Sequence, residues 1–221
     1  MCGRFATTLP PDAMARLFGA APDNDLPPVP DFNVCPTVPV AVVRAGEAGR
    51  RLVAMRWGFL PGWYKTPSGG PLLINARAET LAEKPAFRAA CRARRCLIPA
   101  AGFYEWNRAG AEKLPWFLHR RYGAPLVMAG IWQDWEGEGR RIATCAIVTT
   151  QANAVLEPIH HRMPVILEAA DWGKWLGEEG HGAARLMKPA PPGVIAAYRV
   201  GTAVNYNRAQ GPALMAPLDM A

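Results

Sequence analysis

Four places along the chain carry side chains that could do chemistry together. The first is Met1-Cys2-Gly3-Arg4-Phe5. Removal of Met1, usual before a small second residue, leaves Cys2 with an α-amine and a thiol on adjacent carbons. Isolated, these groups titrate near ~7.7–8.0 and ~8.5, so each has a reactive fraction at neutral pH. Such an amine condenses with an aldehyde to an imine, and the neighbouring thiol then closes a five-membered thiazolidine ring. Well-oriented intramolecular closures reach effective molarities of roughly 10⁵–10⁸ M. The plain alternative is an incidental cysteine beside an initiator methionine.

The second place is Asn75-Ala76-Arg77-Ala78-Glu79. In an extended segment Asn75, Arg77 and Glu79 share one face. That face is either solvated or a pocket wall offering an amide, a guanidinium and a carboxylate. The third is Glu105, in Gly102-Phe103-Tyr104-Glu105-Trp106 behind the apolar run Cys96–Ala101. Desolvation there is expected to raise a carboxyl pKa, which suits a general acid or base near neutrality. An edge strand turning Glu105 to water is the alternative.

The fourth is Ile159-His160-His161-Arg162-Met163-Pro164. If this segment is extended, the two imidazoles face opposite ways and cannot share a metal, while His160 and Arg162 fall on one side. His160 is either an acid/base or hydrogen-bond donor, or a structural histidine. No HxxxH or matching Cys/His cluster occurs elsewhere, so no zinc or iron site is expected. Without a G-x-S-x-G, Walker or dinucleotide fingerprint, no cofactor is expected. Trp63, Tyr64 and Trp106 are candidates for base stacking, worth roughly 1–3 kcal/mol per base; most of the eight tryptophans belong in a core.

These residues need a scaffold, and 221 residues are enough for a substantial core. The net charge of +7 is carried mainly by arginine. It reflects either a GC-rich genome or an anionic partner, for which the planar guanidinium fork is suited. Five cysteines form no even framework, and Cys91 and Cys96 flank Arg-Ala-Arg-Arg at the wrong spacing for a zinc knuckle. With no signal-peptide run and no ~18-residue apolar span, a cytoplasmic protein with reduced thiols is expected.

Strands are predicted at 39–44, 51–58, 72–78, 95–100, 102–107, 114–120, 125–132, 141–150, 163–167 and 194–205. Helices are predicted after Pro10-Pro11-Asp12, where Met14, Leu17 and Phe18 make one apolar face, and at 85–94 and 169–176. Residues 20–37 and 61–71 read as loop. The sum is an α+β chain with a mostly antiparallel, barrel-like β-sheet core and a few peripheral helices. One domain over 1–221 is expected, its last ten residues (about 212–221) a C-terminal tail.

Taken in order, several stretches resemble the SRAP family, the SOS response-associated, peptidase-like proteins that process abasic sites in DNA. They are Met1–Phe5, Asn33-Val34-Cys35-Pro36, Trp57–Trp63, Asn75–Thr80, Arg95–Pro99, Gly102–Trp106, Ala129–Trp132 and His160–Pro164, with Val204-Asn205 near the end. The resemblance implies that Cys2 attacks the aldehyde of an abasic deoxyribose in single-stranded DNA, giving a thiazolidine DNA–protein cross-link that shields the lesion. It assigns Asn75 to orienting the linkage, and Glu105 and His160 to proton transfers, including reversal. Arg4, Arg77 and Arg162 would hold phosphates, and Trp106 and Trp63 would pack on bases. It also implies autoproteolytic release of the N-terminus, a monomer without metal or membrane, and association with the nucleoid when bound to DNA. His161 and the Asn205-Tyr206-Asn207-Arg208 stretch receive no role. Two other classes remain open: an N-terminal-nucleophile cysteine peptidase acting on proteins, and a non-catalytic single-strand DNA binding module.

Overall fold

A computed structural model describes residues 2–218, leaving out 24, 108, 109 and 111. Along these residues run β1 (Phe5–Thr7), α1 (Pro11–Phe18), β2 (Ala20–Pro22), β3 (Asp31–Val34), β4 (Pro39–Gly46), β5 (Gly49–Trp57) and β6 (Asn75–Arg77). There follow α2 (Arg88–Ala93), β7 (Arg95–Ala100), β8 (Gly102–Asn107), β9 (Leu114–Arg120), β10 (Leu126–Gly137) and β11 (Arg140–Gln151). The described chain continues through β12 (Arg162–Pro164), α3 (Trp172–Leu176) and β13 (Ile195–Arg199).

Two tight hairpins start the larger sheet. β10 and β11 pair from Gly130↔Ile147 to Gly137↔Arg140, across a turn in which Glu138 and Gly139 both have positive φ. Two left-handed residues give that turn the twist of the strands it joins. β4 and β5 pair in the same way up to Gly46↔Gly49. The order β11-β10-β7-β4-β5 returns to its start, because β5 also pairs in parallel with β11 at Thr144↔Arg56 and Cys145↔Trp57. The result is a five-strand mixed barrel.

Its strands are buried on both faces. Inside lie Val53, Met55, Cys96, Ile98, Met128, Cys145 and Ile147. Their alternates Leu52, Leu97, Val127, Ala129, Ala146 and Val148 are covered by Met14 and Phe18 of α1 and by Trp172 and Trp175 of α3. Burial on both sides explains why these strands read as continuous apolar runs. At Gly130 a Cβ would stand 2.7 Å from the Cys96 sulfur, so only glycine lets β7 and β10 pack there.

A second sheet, ordered β13-β9-β8-β1-β3, caps one side of the barrel. Phe5 and Phe103 face the barrel core, whereas Ala6, Tyr104 and Phe117 face outward under a cover supplied by the C-terminal segment.

Four expectations need correction. Residues 20–37 hold two strands, β2 and β3, whose partners β5 and β1 are distant or follow a bulge and so left no local signal. On α1, Met14 and Phe18 are buried but Leu17 is 43% exposed. The extended stretch after 194 stops at Arg199 and turns into a 3-10 segment, Thr202–Asn205. Finally, the expected tail is docked where described: Leu214 is buried against Ala6 and Tyr104, and the Tyr198 hydroxyl donates to the Met215 carbonyl at 2.8 Å. Residues 219–221 lie outside the described residues. Among those described, no helix is long and apolar enough to cross a membrane.

Candidate active site

Strand pairing brings two of the four chemical stretches to the end of β11. β6 runs parallel to it, with Asn75 opposite Ile147 and Arg77 opposite Thr149. β12 runs antiparallel, with Arg162 opposite Gln151. The other two come from the capping sheet: β1 pairs with β8 at Phe5↔Phe103, and the Tyr104 N–H donates to the Arg4 carbonyl at 2.9 Å. This carries Cys2 and Gly3 alongside Glu105.

Cys2 is fully buried, with Asn75 Nδ2 donating to its carbonyl at 2.9 Å. The other side-chain atom of that amide, Oδ1, is buried with no hydrogen-bond partner, an unused acceptor beside Cys2. Burial pushes the Cys2 thiol far up from its usual range, and the negative charge of Glu105 pushes it further, while the Arg4 backbone N–H opposes both. The sulfur is therefore held as a neutral thiol. Glu105, on β8, is 3% exposed. Met1, whose removal the aminothiol chemistry requires, lies outside the described residues.

Next to Cys2 opens a cleft of about 870 Å³, lined among others by Gly3, Arg77, Glu105, Trp106, His160 and His161. His160 is held by the chain two residues on. Its Nδ1 stands 3.0 Å from the Arg162 N–H and 3.2 Å from the Arg162 carbonyl. With Nδ1 bare the ring accepts from the N–H; with Nδ1 protonated it donates to the carbonyl. Either protonation state thus finds a partner without moving the ring, which suits a proton carrier. Contrary to the extended-chain expectation, residues 154–159 turn and the two imidazoles do not diverge. His160 and His161 stack with centroids 4.4 Å apart and planes 24° apart, and both line the cleft.

The three arginines expected on phosphates have different surroundings. Arg162 is 7% exposed and grips Glu79 with both terminal nitrogens, at 2.7 and 2.8 Å, while also donating to the Thr149 carbonyl at 2.8 Å. Arg4 is 8% exposed and donates to Asn33 Oδ1 at 2.6 Å, to the Val204 carbonyl at 3.1 Å and to Asn207 Oδ1 at 2.6 Å. Both are held by acceptors of the fold, and Arg4 also lines the cleft. Arg77 is exposed on the cleft wall. Glu79 does not continue the face of Asn75 and Arg77, because β6 ends and a 3-10 turn, Ala78–Thr80, swings its carboxylate to Arg162.

Trp106 is half-buried at the cleft, its indole N–H donating to Asn205 Oδ1 at 2.6 Å and its ring 5.8 Å from the Arg4 guanidinium carbon. Trp63 is 60% exposed, edge-on to Tyr64, and does not line the cleft. Sequence reasoning missed Asn33, Asn205 and Asn207, which lock Arg4 and Trp106, and Lys113 on the cleft wall. The polar run Asn205-Tyr206-Asn207 was the one visible sign of the first group. Among the described residues no group of three His, Cys, Asp or Glu is placed to hold a metal.

The pattern of SOS response associated peptidase (SRAP) matches residues 1–207. The chain belongs to the SRAP family. Among its SRAP relatives is the abasic site processing protein YoqW of Bacillus subtilis (strain 168). It is 35% identical over 223 residues, covering 97% of this chain and 99% of that one. The abasic site processing protein YedK of Escherichia coli (strain K12) is 30% identical over 226 residues, covering 99% and 100%. The barrel and cap also superpose on a crystal structure of a protein from Bacteroides thetaiotaomicron with a TM-score of 0.87 at 25% identity, covering 98% of this chain and all of that one. The mostly-β barrel with few short helices is thus the SRAP fold.

Proposed function

We propose that this SRAP protein processes abasic sites in single-stranded DNA by forming a thiazolidine cross-link through Cys2. The observation that carries the reading is that Glu105 and His160 line one cleft while Glu105 and Asn75 both act on the buried Cys2, from four separate parts of the chain. Loss of Met1 frees the Cys2 amine. His160 protonates the ring oxygen of the closed abasic sugar, and loss of the proton on the anomeric hydroxyl opens it to the aldehyde. The amine adds to the carbonyl carbon, and water leaves as the imine forms. The thiol sulfur then bonds to the imine carbon, its proton passing through Glu105 to the nitrogen. The net reaction is aminothiol plus aldehyde to thiazolidine plus one water.

The raised thiol pKa fits this sequence. A sulfur held neutral leaves the first attack to the amine, and its proton departs only as the C–S bond forms. Asn75 fixes the Cys2 carbonyl, and so the direction of the backbone that carries both nucleophiles. An ionised Glu105 also raises the basicity of a nearby amine, so its useful role is moving protons rather than anchoring the ammonium. Arg77 and Lys113 supply positive charge for phosphates, and Trp106 a ring for a base. Reversal runs the same steps backward, and autoproteolytic release of Met1 would draw on the same residues.

Intact-mass spectra before and after incubation with an abasic oligonucleotide test this. One covalent adduct, short of one water, is expected for the chain lacking Met1 and none for Cys2→Ala, which keeps its binding to undamaged strands. Peptide cleavage without any DNA adduct would favour a peptidase, and lesion protection surviving in Cys2→Ala would favour a plain binding module. A cytoplasmic monomer is proposed as the working form.

A further inference from the structure

The second imidazole of the stack has no part in the chemistry above. His161 is exposed, while His160 beneath it is half-buried. The backbone under both is fixed. Asn153 Oδ1 accepts from the Val155 and Leu156 N–H groups, Asn153 Nδ2 donates to the Ala190 carbonyl, the His160 N–H donates to Leu156, and the Ala152 N–H donates to the His161 carbonyl at 3.1 Å. A half-turn of the His160 ring about its Cβ–Cγ bond would take Nδ1 away from Arg162 and exchange it for a carbon.

We propose that His161 is a positioning residue for His160: stacked on its solvent side, it holds the ring with Nδ1 on Arg162. Aromatic rings in offset contact at 4.5–7 Å or slightly closer attract one another beyond simple burial, and the 4.4 Å spacing leaves no room for the His160 ring to swing outward.

The rate arm of the test rests on the proposed cross-linking; the spectroscopic arm does not. Histidine ring ¹⁵N spectra across a pH titration are recorded for the full chain, its His161→Ala and its His161→Phe forms. Wild type is expected to show His160 Nδ1 at hydrogen-bonded shifts at both ends of the titration, and His161→Ala to move it toward free-imidazole values. His161→Phe, which keeps a ring to stack, is expected to restore the hydrogen-bonded shifts. With abasic DNA, His161→Ala is expected to lower the saturating cross-linking rate about ten- to hundredfold, the scale of a small misplacement. Half-saturation should stay put, and Phe should recover most of the rate. Unchanged His160 shifts in His161→Ala overturn the proposal. If wild type forms no adduct, the cross-linking reading fails and the spectra still decide the role of His161.

Discussion

Arg4 and Asn207 stand 203 positions apart and meet through a 2.6 Å hydrogen bond, NH2 to Oδ1. With Asn33 and the Val204 carbonyl on the other arm of the guanidinium, this bond straps the C-terminal segment over the strand that presents Cys2. Removing one partner of a buried charged donor leaves it unsatisfied, at a cost of roughly 1–3 kcal/mol. Asn207→Ala is therefore expected to lower the unfolding free energy by about that amount, read as a lower urea midpoint at unchanged slope. Asn205→Ala, which loosens Trp106, should cost less because the indole end can reach water.

Arg162 and Glu79 set a pH limit on stability. The Arg162 guanidinium, bonded to both oxygens of Glu79, lowers that carboxyl below its usual value near 4.5. A lowered folded-state value means stability that is present above the unfolded pKa and lost as pH falls through the folded one. Thermal midpoints of wild type and Glu79→Gln should differ at pH 7 and converge as pH falls below about 4.3. A constant gap down to pH 3 would remove the ion pair from the account.

Glu105 and Cys2 are coupled through charge. Since Glu105 raises the Cys2 thiol, Glu105→Gln should lower the pH at which that thiol reacts with an alkylating reagent. Burial is the larger cause, so the thiol of the variant still ionises above the usual cysteine range. Mass analysis of the N-terminal peptide separates Cys2 from the half-buried Cys35 and Cys91. An upward shift would contradict the placement of the carboxylate.

Arg77 and Arg162 should part company in DNA binding. Each phosphate neutralised on a single strand adds about 0.7 to the slope of log affinity against log salt. Arg77→Ala is expected to reduce the slope by about that much at an intact oligonucleotide. Glu79→Gln, which weakens the hold on Arg162 without removing a cation, should leave it unchanged. Equal losses in the two variants would return Arg162 to the phosphate-binding set.

How legible the site was depended on the kind of residue. Cys2 and Glu105 announced themselves locally, one as a potential aminothiol and the other as a charge in an apolar strand. Asn33 and Asn207 carried no such mark, because an amide's role is set by which distant group it meets. The histidine pair shows the same limit: its divergence followed from assuming extended backbone, and the Asn153-anchored turn put both rings on one cleft. β3 was hidden for a related reason, its partner β1 supplying the pairing that its Asp and Asn residues disfavour.

By itself the sequence determined the strand-rich α+β composition, the long hairpins, the family and the four side chains that the proposed chemistry needs, since these depend on residue type, alternation and short-range order. Only the tertiary structure decided that β5 returns to β11 to close the barrel, that Arg4 and Arg162 are bonded within the fold while Arg77 is exposed at the cleft, and that the thiol of Cys2 is buried beside a carboxylate. Those outcomes turn on contacts between residues far apart in the chain, where burial and the available partner, not the side chain's own chemistry, set what each group can do.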